Sequence, residues 1–250
     1  AAGAAGGAMG MHAAHGAQES GSIMTVGGPV PPDTLGLTLP HEHLMVDFVG
    51  AAKVSRDRYD ADEVFETVLP HLEKYKSLGG QTLVECTPAW LGRDAELMVR
   101  LSEASGVTIL SNTGYYGAAD DRFVPDHAYA ETAGQLAERW TAEWENGIDG
   151  TDIRPGFIKI GLDPGPLSAV DRKLVEAAGH THLNTGLTIA AHSGDAQASR
   201  EALKSLEDLG VAGDALIWVH AHLESDAAEH ARAAAEGVWV EFDGLGPDSV

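Results

Sequence analysis

Cysteine is almost missing from this chain: Cys86 is the only one in 250 residues. No disulfide framework can form, so cysteine usage leaves the redox compartment open. Cys86 lies in the apolar run 81–86 and reads as a buried, inert thiol. Basic residues are also scarce, with 16 Lys and Arg against 38 Asp and Glu and a formal charge of −22. Such a field repels phosphate backbones and anionic membranes, which argues against nucleic-acid and membrane partners and favours neutral or cationic small molecules. From residue 24 onward no run approaches the roughly 18 apolar residues needed to span a bilayer. No linker interrupts the chain, and its 44% apolar composition can fill one barrel-sized core.

What is present begins with an Ala/Gly/Met/His stretch over residues 1–23 that has no clear period. It is set aside as a leader or disordered segment, and residues 24–250 are taken as the folded domain. The leader resembles the remnant of an export-signal core, while Met24 would serve equally as a start, so export and a cytoplasmic location both stay open. His12 and His15 fall in this segment and are not counted as ligands.

From residue 35, short apolar runs alternate with amphipathic helical stretches, the pattern of a parallel sheet covered by helices. Strands are expected at 37–40, 81–86, 107–111, 157–160, 187–191, 216–219 and 238–242. Helices are expected at 62–77, 94–104, 127–145, 168–184, 196–209 and 224–236, with Pro70 predicting a kink in the first. Gly106, Gly186, Gly210 and Gly237 each follow a helix, where a left-handed cap favours glycine. An open doubly wound sheet would carry a Gly-rich phosphate loop after its first strand, and none is present. A (β/α) barrel is therefore preferred, and its chemistry is sought at the carboxyl ends of the strands.

Those ends carry histidine. The first run closes with Pro40-His41-Glu42-His43, and alternation along an extended strand points both imidazoles to one side. The fifth run ends in His192 and the sixth in His220, 33 and 28 residues beyond Lys159 and His192 in turn, one β/α unit apiece. Lys159 falls on the inner face of the fourth run, where an ammonium beside metal ions would be strongly disfavoured. A neutral lysine can take up carbon dioxide as an anionic carbamate that bridges two ions; the alternatives are snorkelling to solvent or pairing with Asp163. On the seventh run Trp239, Glu241 and Asp243 share the inner face, with Val238, Val240 and Phe242 toward the helices. Glu241 and Asp243 then need a cation or donor, either by orienting a histidine or by direct ligation. Tyr115, Tyr116 and Trp90 follow the third and second strands and are weighed as lining of a substrate mouth. His71, His127, His180, His182 and His230 are read as structural or solvated.

Several stretches in order resemble the phosphotriesterase family of the amidohydrolase superfamily: Gly36-Leu-Thr-Leu-Pro-His-Glu-His43, Gly92-Arg-Asp94, Thr113-Gly114-Tyr115, Gly156-Phe-Ile-Lys-Ile160, Ala191-His192 and Glu241-Phe-Asp-Gly244. The resemblance runs from about Met24 to the end and implies a (β/α)8 TIM-type barrel. It also implies that His41 and His43 hold the more buried of two divalent ions, His192 and His220 the other, and carbamylated Lys159 both. Zinc is the expected metal, since the set offers imidazole and carboxylate but no thiolate. His220 is preferred to His222 by register from the Glu-Phe-Asp-Gly motif, leaving His222 for substrate contact.

The implied reaction is attack of a metal-bridging hydroxide on an ester-type bond of a small molecule, a lactone or carboxylic ester before a phosphotriester. A homodimer is the one assembly left open. The family also draws an aspartate from the end of an eighth strand, which this sequence does not reach. The expectation is thus a fragment of a longer product with a recognisable but incomplete centre. Two rivals are kept: a mononuclear deaminase, against which Lys159 speaks, and a barrel that binds metal or ligand without catalysis.

Overall fold

The computed structural model describes residues 21–244. The leader histidines His12 and His15 lie outside the described residues. Ile23, at the end of the segment set aside from the fold, instead opens β1 (Ile23–Thr25), which forms an antiparallel hairpin with β2 (Gly28–Val30). The periodicity did not announce this hairpin, because its strands are three residues each. It docks beside the chain that leads into the fourth barrel strand, where Gly156 is required: a Cβ there would lie 2.4 Å from the Met24 carbonyl oxygen.

The barrel strands follow in chain order: β3 (Leu37–Glu42), β4 (Gly80–Glu85), β5 (Thr108–Leu110), β6 (Asn112–Thr113), β7 (Phe157–Gly161), β8 (Ile189–His192), β9 (Leu216–Val219) and β10 (Trp239–Val240). All neighbouring pairs among them are parallel. β5 and β6 are one extended run with Ser111 between them; β5 pairs with β4, β6 pairs with β7, and the Ser111 carbonyl already accepts from Gly156 N at 2.8 Å. The order is therefore sequential around a (β/α) barrel, as expected for seven β/α units. Among the described residues no eighth parallel strand stands between β10 and β3.

Helices α1 (Ala61–Ser77), α2 (Ala95–Ser105), α5 (Ala169–Thr185), α6 (Ala196–Asp208) and α7 (Ala227–Ala235) begin where a short polar side chain satisfies free backbone N–H groups. Asp60, Asp94, Ser168, Asp195 and Asp226 supply those caps. The stretch 127–145, expected as one helix, divides into α3 (Asp126–Ala130) and α4 (Ala133–Asn146). Thr132 and Gln135 form a reciprocal capping box that starts α4 afresh. The last helix starts at Ala227 rather than 224, because Glu224 turns its carboxylate to Ala196 N and Asp226 N.

Strand alternation separates two layers. Ile158 and Ile160 of β7 enter the sheet–helix layer with Trp140, Leu174, Leu216 and Trp218. Burying each of these isoleucines contributes roughly 1.5–3 kcal/mol. Phe157 faces the other way, into a small interior cluster with Cys86, Leu110, Ala190 and Val219. Cys86 is 1% exposed and its thiol is pushed up to about 12 by burial, which makes it inert as read from the sequence. No helix among the described residues is long and apolar enough to cross a membrane.

Candidate metal centre

The carboxyl ends of β3, β7, β8 and β9 bring His41, His43, Lys159, His192 and His220 to one end of the barrel. The rings form a chain of contacts: His41 to His43 at 5.1 Å between centroids, His41 to His220 at 4.6 Å and His220 to His192 at 4.4 Å. His41 Nε2 and His43 Nε2 face each other at 3.2 Å. Two imidazole nitrogens bound at about 2.0–2.1 Å to one tetrahedral zinc stand about 3.3 Å apart, so this pair is spaced for a shared ion. Burial above all, aided by nearby Lys159 and His220, holds His41 and His43 near 3. Burial followed by Lys159 holds His192 near 2. All three are neutral imidazoles, the protonation state that ligates metal.

Lys159 is the largest departure from ordinary packing. It is 1% exposed, and its Nζ has no hydrogen-bond partner. Burial depresses its pKa, and Cys86, Glu241, Asp243 and Glu85 offset that only in part. Neither bland alternative holds: the side chain does not reach solvent, and Asp163 spends its carboxylate on Ala119 N and Asp120 N at 2.8 and 3.1 Å. Gly114 lets the neighbouring loop close over this strand. Its φ is 120°, and a Cβ would lie 2.1 Å from the Lys159 carbonyl oxygen.

The acidic pair after β10 points inward as the alternation requires. Asp243 Oδ2 stands 2.6 Å from His220 Nδ1 and 3.3 Å from His41 Nδ1, and its Oδ1 is 3.1 Å from His222 Nδ1. Glu241 Oε1 is 3.5 Å from His41 Nδ1. Burial, reinforced by Asp243, pushes Glu241 up to about 7. Burial would raise Asp243 as well, but its hydrogen bond to His220 and its electrostatic interaction with His220 and His41 hold it below the usual carboxylate range. His41, His220 and Asp243 each offer a ligand atom within 4.8 Å of one another. His220 takes a left-handed backbone, φ 63°, which ends β9 and turns its ring into this group, whereas His222 reaches the other oxygen of Asp243 and accepts from Gly244 N at 3.3 Å. Trp239, expected inside with the acids, is 64% exposed at the opposite end of the strand, where its indole N–H donates to the Asp214 carbonyl.

Tyr115 and Tyr116 are adjacent and so diverge. Tyr116 packs against His192 at 5.0 Å between centroids, while Tyr115 turns to His127, with its hydroxyl 3.0 Å from Nε2, and to the Trp140 ring. With Trp90 and His127, Tyr115 lines a cleft of about 580 Å³ between the loops that follow β3, β4 and β6. Gly92-Arg-Asp94 is structural: Asp94 caps α2, and Arg93 is buried with its guanidinium on Glu143 and the Asn112 carbonyl.

Two polar residues that bear on the centre escaped the sequence reading. His43 Nδ1 lies 2.9 Å from Thr87 Oγ1, and Thr87 Oγ1 lies 2.5 Å from Glu85 Oε1. Glu85 is fully buried, and that burial pushes it up to about 7 despite bonds from Thr87 and Leu44 N. The available signal was a Glu-Cys-Thr ending on an otherwise apolar strand, with Glu85 and Thr87 on the same side.

The fold and site define a (β/α) barrel with a histidine–lysine–carboxylate centre at the carboxyl ends of its strands. The chain belongs to the phosphotriesterase family, whose model matches residues 21–250. It is 29% identical to the phosphotriesterase homology protein of Escherichia coli K12, over 87% of this chain and 73% of that protein. It is 30% identical to the N-acetyltaurine hydrolase of Salmo salar, over 92% of this chain and 74% of that protein. The solved structure of the E. coli protein, complexed with phosphate in its active site, matches with TM-score 0.76 and 28% identity over 87% of this chain and 73% of that one. A Listeria monocytogenes lactonase matches in fold with TM-score 0.79 at 24% identity, over 90% and 73% of the two chains. The family and these relatives support a hydrolase acting on a small molecule.

Proposed function

We propose that the chain is a binuclear metal-dependent hydrolase of ester-type bonds, with His41 and His43 on one divalent ion, His192 and His220 on the other, and Lys159 bridging them as its carbamate. The observation that carries this reading is the buried, unpartnered Lys159 amine beside neutral imidazoles. A neutral amine adds to carbon dioxide by forming an N–C bond and releasing a proton. The product is an anion suited to a site lined with cations, which removes the cost of burying a free ammonium. Two zinc ions held there would polarise the substrate oxygen and generate a nucleophile from water near neutral pH.

The chain's own residues supply the rest. His41 and His43 present lone pairs to one point. Asp243 orients His220 and offers an ionised carboxylate able to accept a proton. Tyr116 closes the side of His192. Lactones and carboxylic esters are the favoured substrates, with phosphotriesters next. The name of the Salmo salar relative supports a second reading, cleavage of an N-acyl amide by the same centre.

The test loads the protein with zinc in bicarbonate and assays panels of lactones, carboxylic esters, phosphotriesters and N-acyl amides. Hydrolysis with about two zinc ions per chain, abolished by Lys159→Ala, is the expected result. Activity unaffected by that substitution rules out the bridged centre. Zinc uptake without turnover of any panel member would instead make the chain a metal-binding barrel.

A further inference from the structure

Thr87, on the strand end next to His43, has three polar neighbours and one proton. Its Oγ1 lies 2.9 Å from His43 Nδ1, 3.0 Å from the Met45 carbonyl oxygen and 2.5 Å from Glu85 Oε1. A hydroxyl donates once and accepts twice. With Glu85 ionised, as its two backbone N–H donors favour, carbonyl and carboxylate can only accept, so the hydroxyl proton goes to one of them and the third neighbour, His43 Nδ1, is the donor. Glu85 is held in place as that acceptor: its Oε2 accepts from Thr87 N at 3.0 Å and its Oε1 from Leu44 N at 3.3 Å. Thr87 and Glu85 are closed to solvent, at 0% and 1% exposure.

We propose that Thr87, backed by Glu85, is a positioning residue that fixes the tautomer of His43, keeping the proton on Nδ1 and the Nε2 lone pair aimed at the position it shares with His41 Nε2. This rests on the metal-centre reading for its purpose, but the tautomer is a property of the protein alone. The consequence is directional. Without Thr87, His43 is free to place its proton on Nε2 and donate it to His41 across their 3.2 Å contact, which occupies the very lone pairs an ion needs. With Thr87 in place the His43 Nε2 lone pair stays open toward the position it shares with His41.

The first experiment needs no metal: two-bond ¹H–¹⁵N NMR of the metal-free wild-type protein with labelled histidine, with the His43 signals assigned by comparison with His43→Gln. The expected result is a His43 protonated at Nδ1, and a His43 protonated at Nε2 overturns the proposal. The second compares zinc affinity by calorimetry in wild type, Thr87→Val and Thr87→Ser. Val keeps the shape and removes the hydroxyl, so affinity should fall by roughly 10–100-fold, while Ser should restore it. Equal affinity in a folded Thr87→Val overturns the positioning role; if Val does not fold, a Thr87→Ser protein with Nε2-protonated His43 does the same. A wild type that takes up no zinc defeats the proposed function, and the tautomer measurement still decides the Thr87 assignment.

Discussion

His41 and His43 point their Nε2 atoms at each other across 3.2 Å. Two lone pairs at that distance repel, and a proton or a cation between them reverses the sign of the interaction. Removing either ring leaves the other without its chelate partner. His41→Ala or His43→Ala should therefore lower zinc affinity by at least the roughly 10–100-fold that loss of an outer-shell partner costs. Zinc titration of each variant checks this, and wild-type affinity in either would remove the pair from the centre.

Lys159→Met separates stability from function. Methionine fills the same space without a polar atom, and the wild-type amine is buried without a partner. The metal-free variant should be more stable than metal-free wild type by about 1–3 kcal/mol, the cost of an unsatisfied buried donor. It should also lose every response to bicarbonate. Denaturant melts in chelator, with and without bicarbonate, read both effects, and a variant less stable than wild type contradicts the unpaired amine.

Asp121 gives a pH prediction away from the centre. Burial, with Asp171, Asp163 and Asp120 nearby, pushes it from 3.8 up to about 6, and its Oδ1 is buried without a partner. The fold binds this proton more tightly than the unfolded chain does, so its contribution is favourable at low pH and is lost as pH rises from about 4 through 6. Asp121→Asn cannot ionise. It should melt a few degrees above wild type at pH 8 and match it near pH 3.5; an advantage that grows toward acid would reverse the assignment.

Gly114→Ala tests the closeness of the loop to the Lys159 strand. The new methyl would meet the Lys159 carbonyl oxygen at 2.1 Å in a backbone conformation that disfavours side chains. Backbone cannot swing aside as a side chain can, so the variant should be destabilised by several kcal/mol, with disturbed zinc uptake. A melt within a degree of wild type would mean that the two segments are not in contact.

Much of this was legible in one dimension. The alternation of short apolar runs and amphipathic stretches is written in residue type, because a barrel strand and a surface helix bury apolar atoms with different periods. The five proposed ligands were legible for the same reason: the histidines fall near or just beyond strand ends and Lys159 within β7, and the period of two fixes which side an adjacent residue faces. The same rule separates Tyr115 from Tyr116, but only the folded chain showed that Tyr116 meets His192 and Tyr115 faces the cleft. The hairpin at Ile23 and the division of α3 from α4 were hidden, since a three-residue strand has no measurable period and a cap inside a polar stretch competes with helix continuation.

Sequence alone determined that histidine, lysine and carboxylate would stand at strand ends of a parallel barrel, because covalent spacing and side-chain alternation are local. Only the tertiary structure decided their mutual roles. Whether Lys159 finds a partner, which histidine Asp243 engages, and that Thr87 and Glu85 stand behind His43 depend on contacts between segments 21 to 202 residues apart. Those contacts are set by register and by the closing of the sheet, which no single stretch of chain encodes.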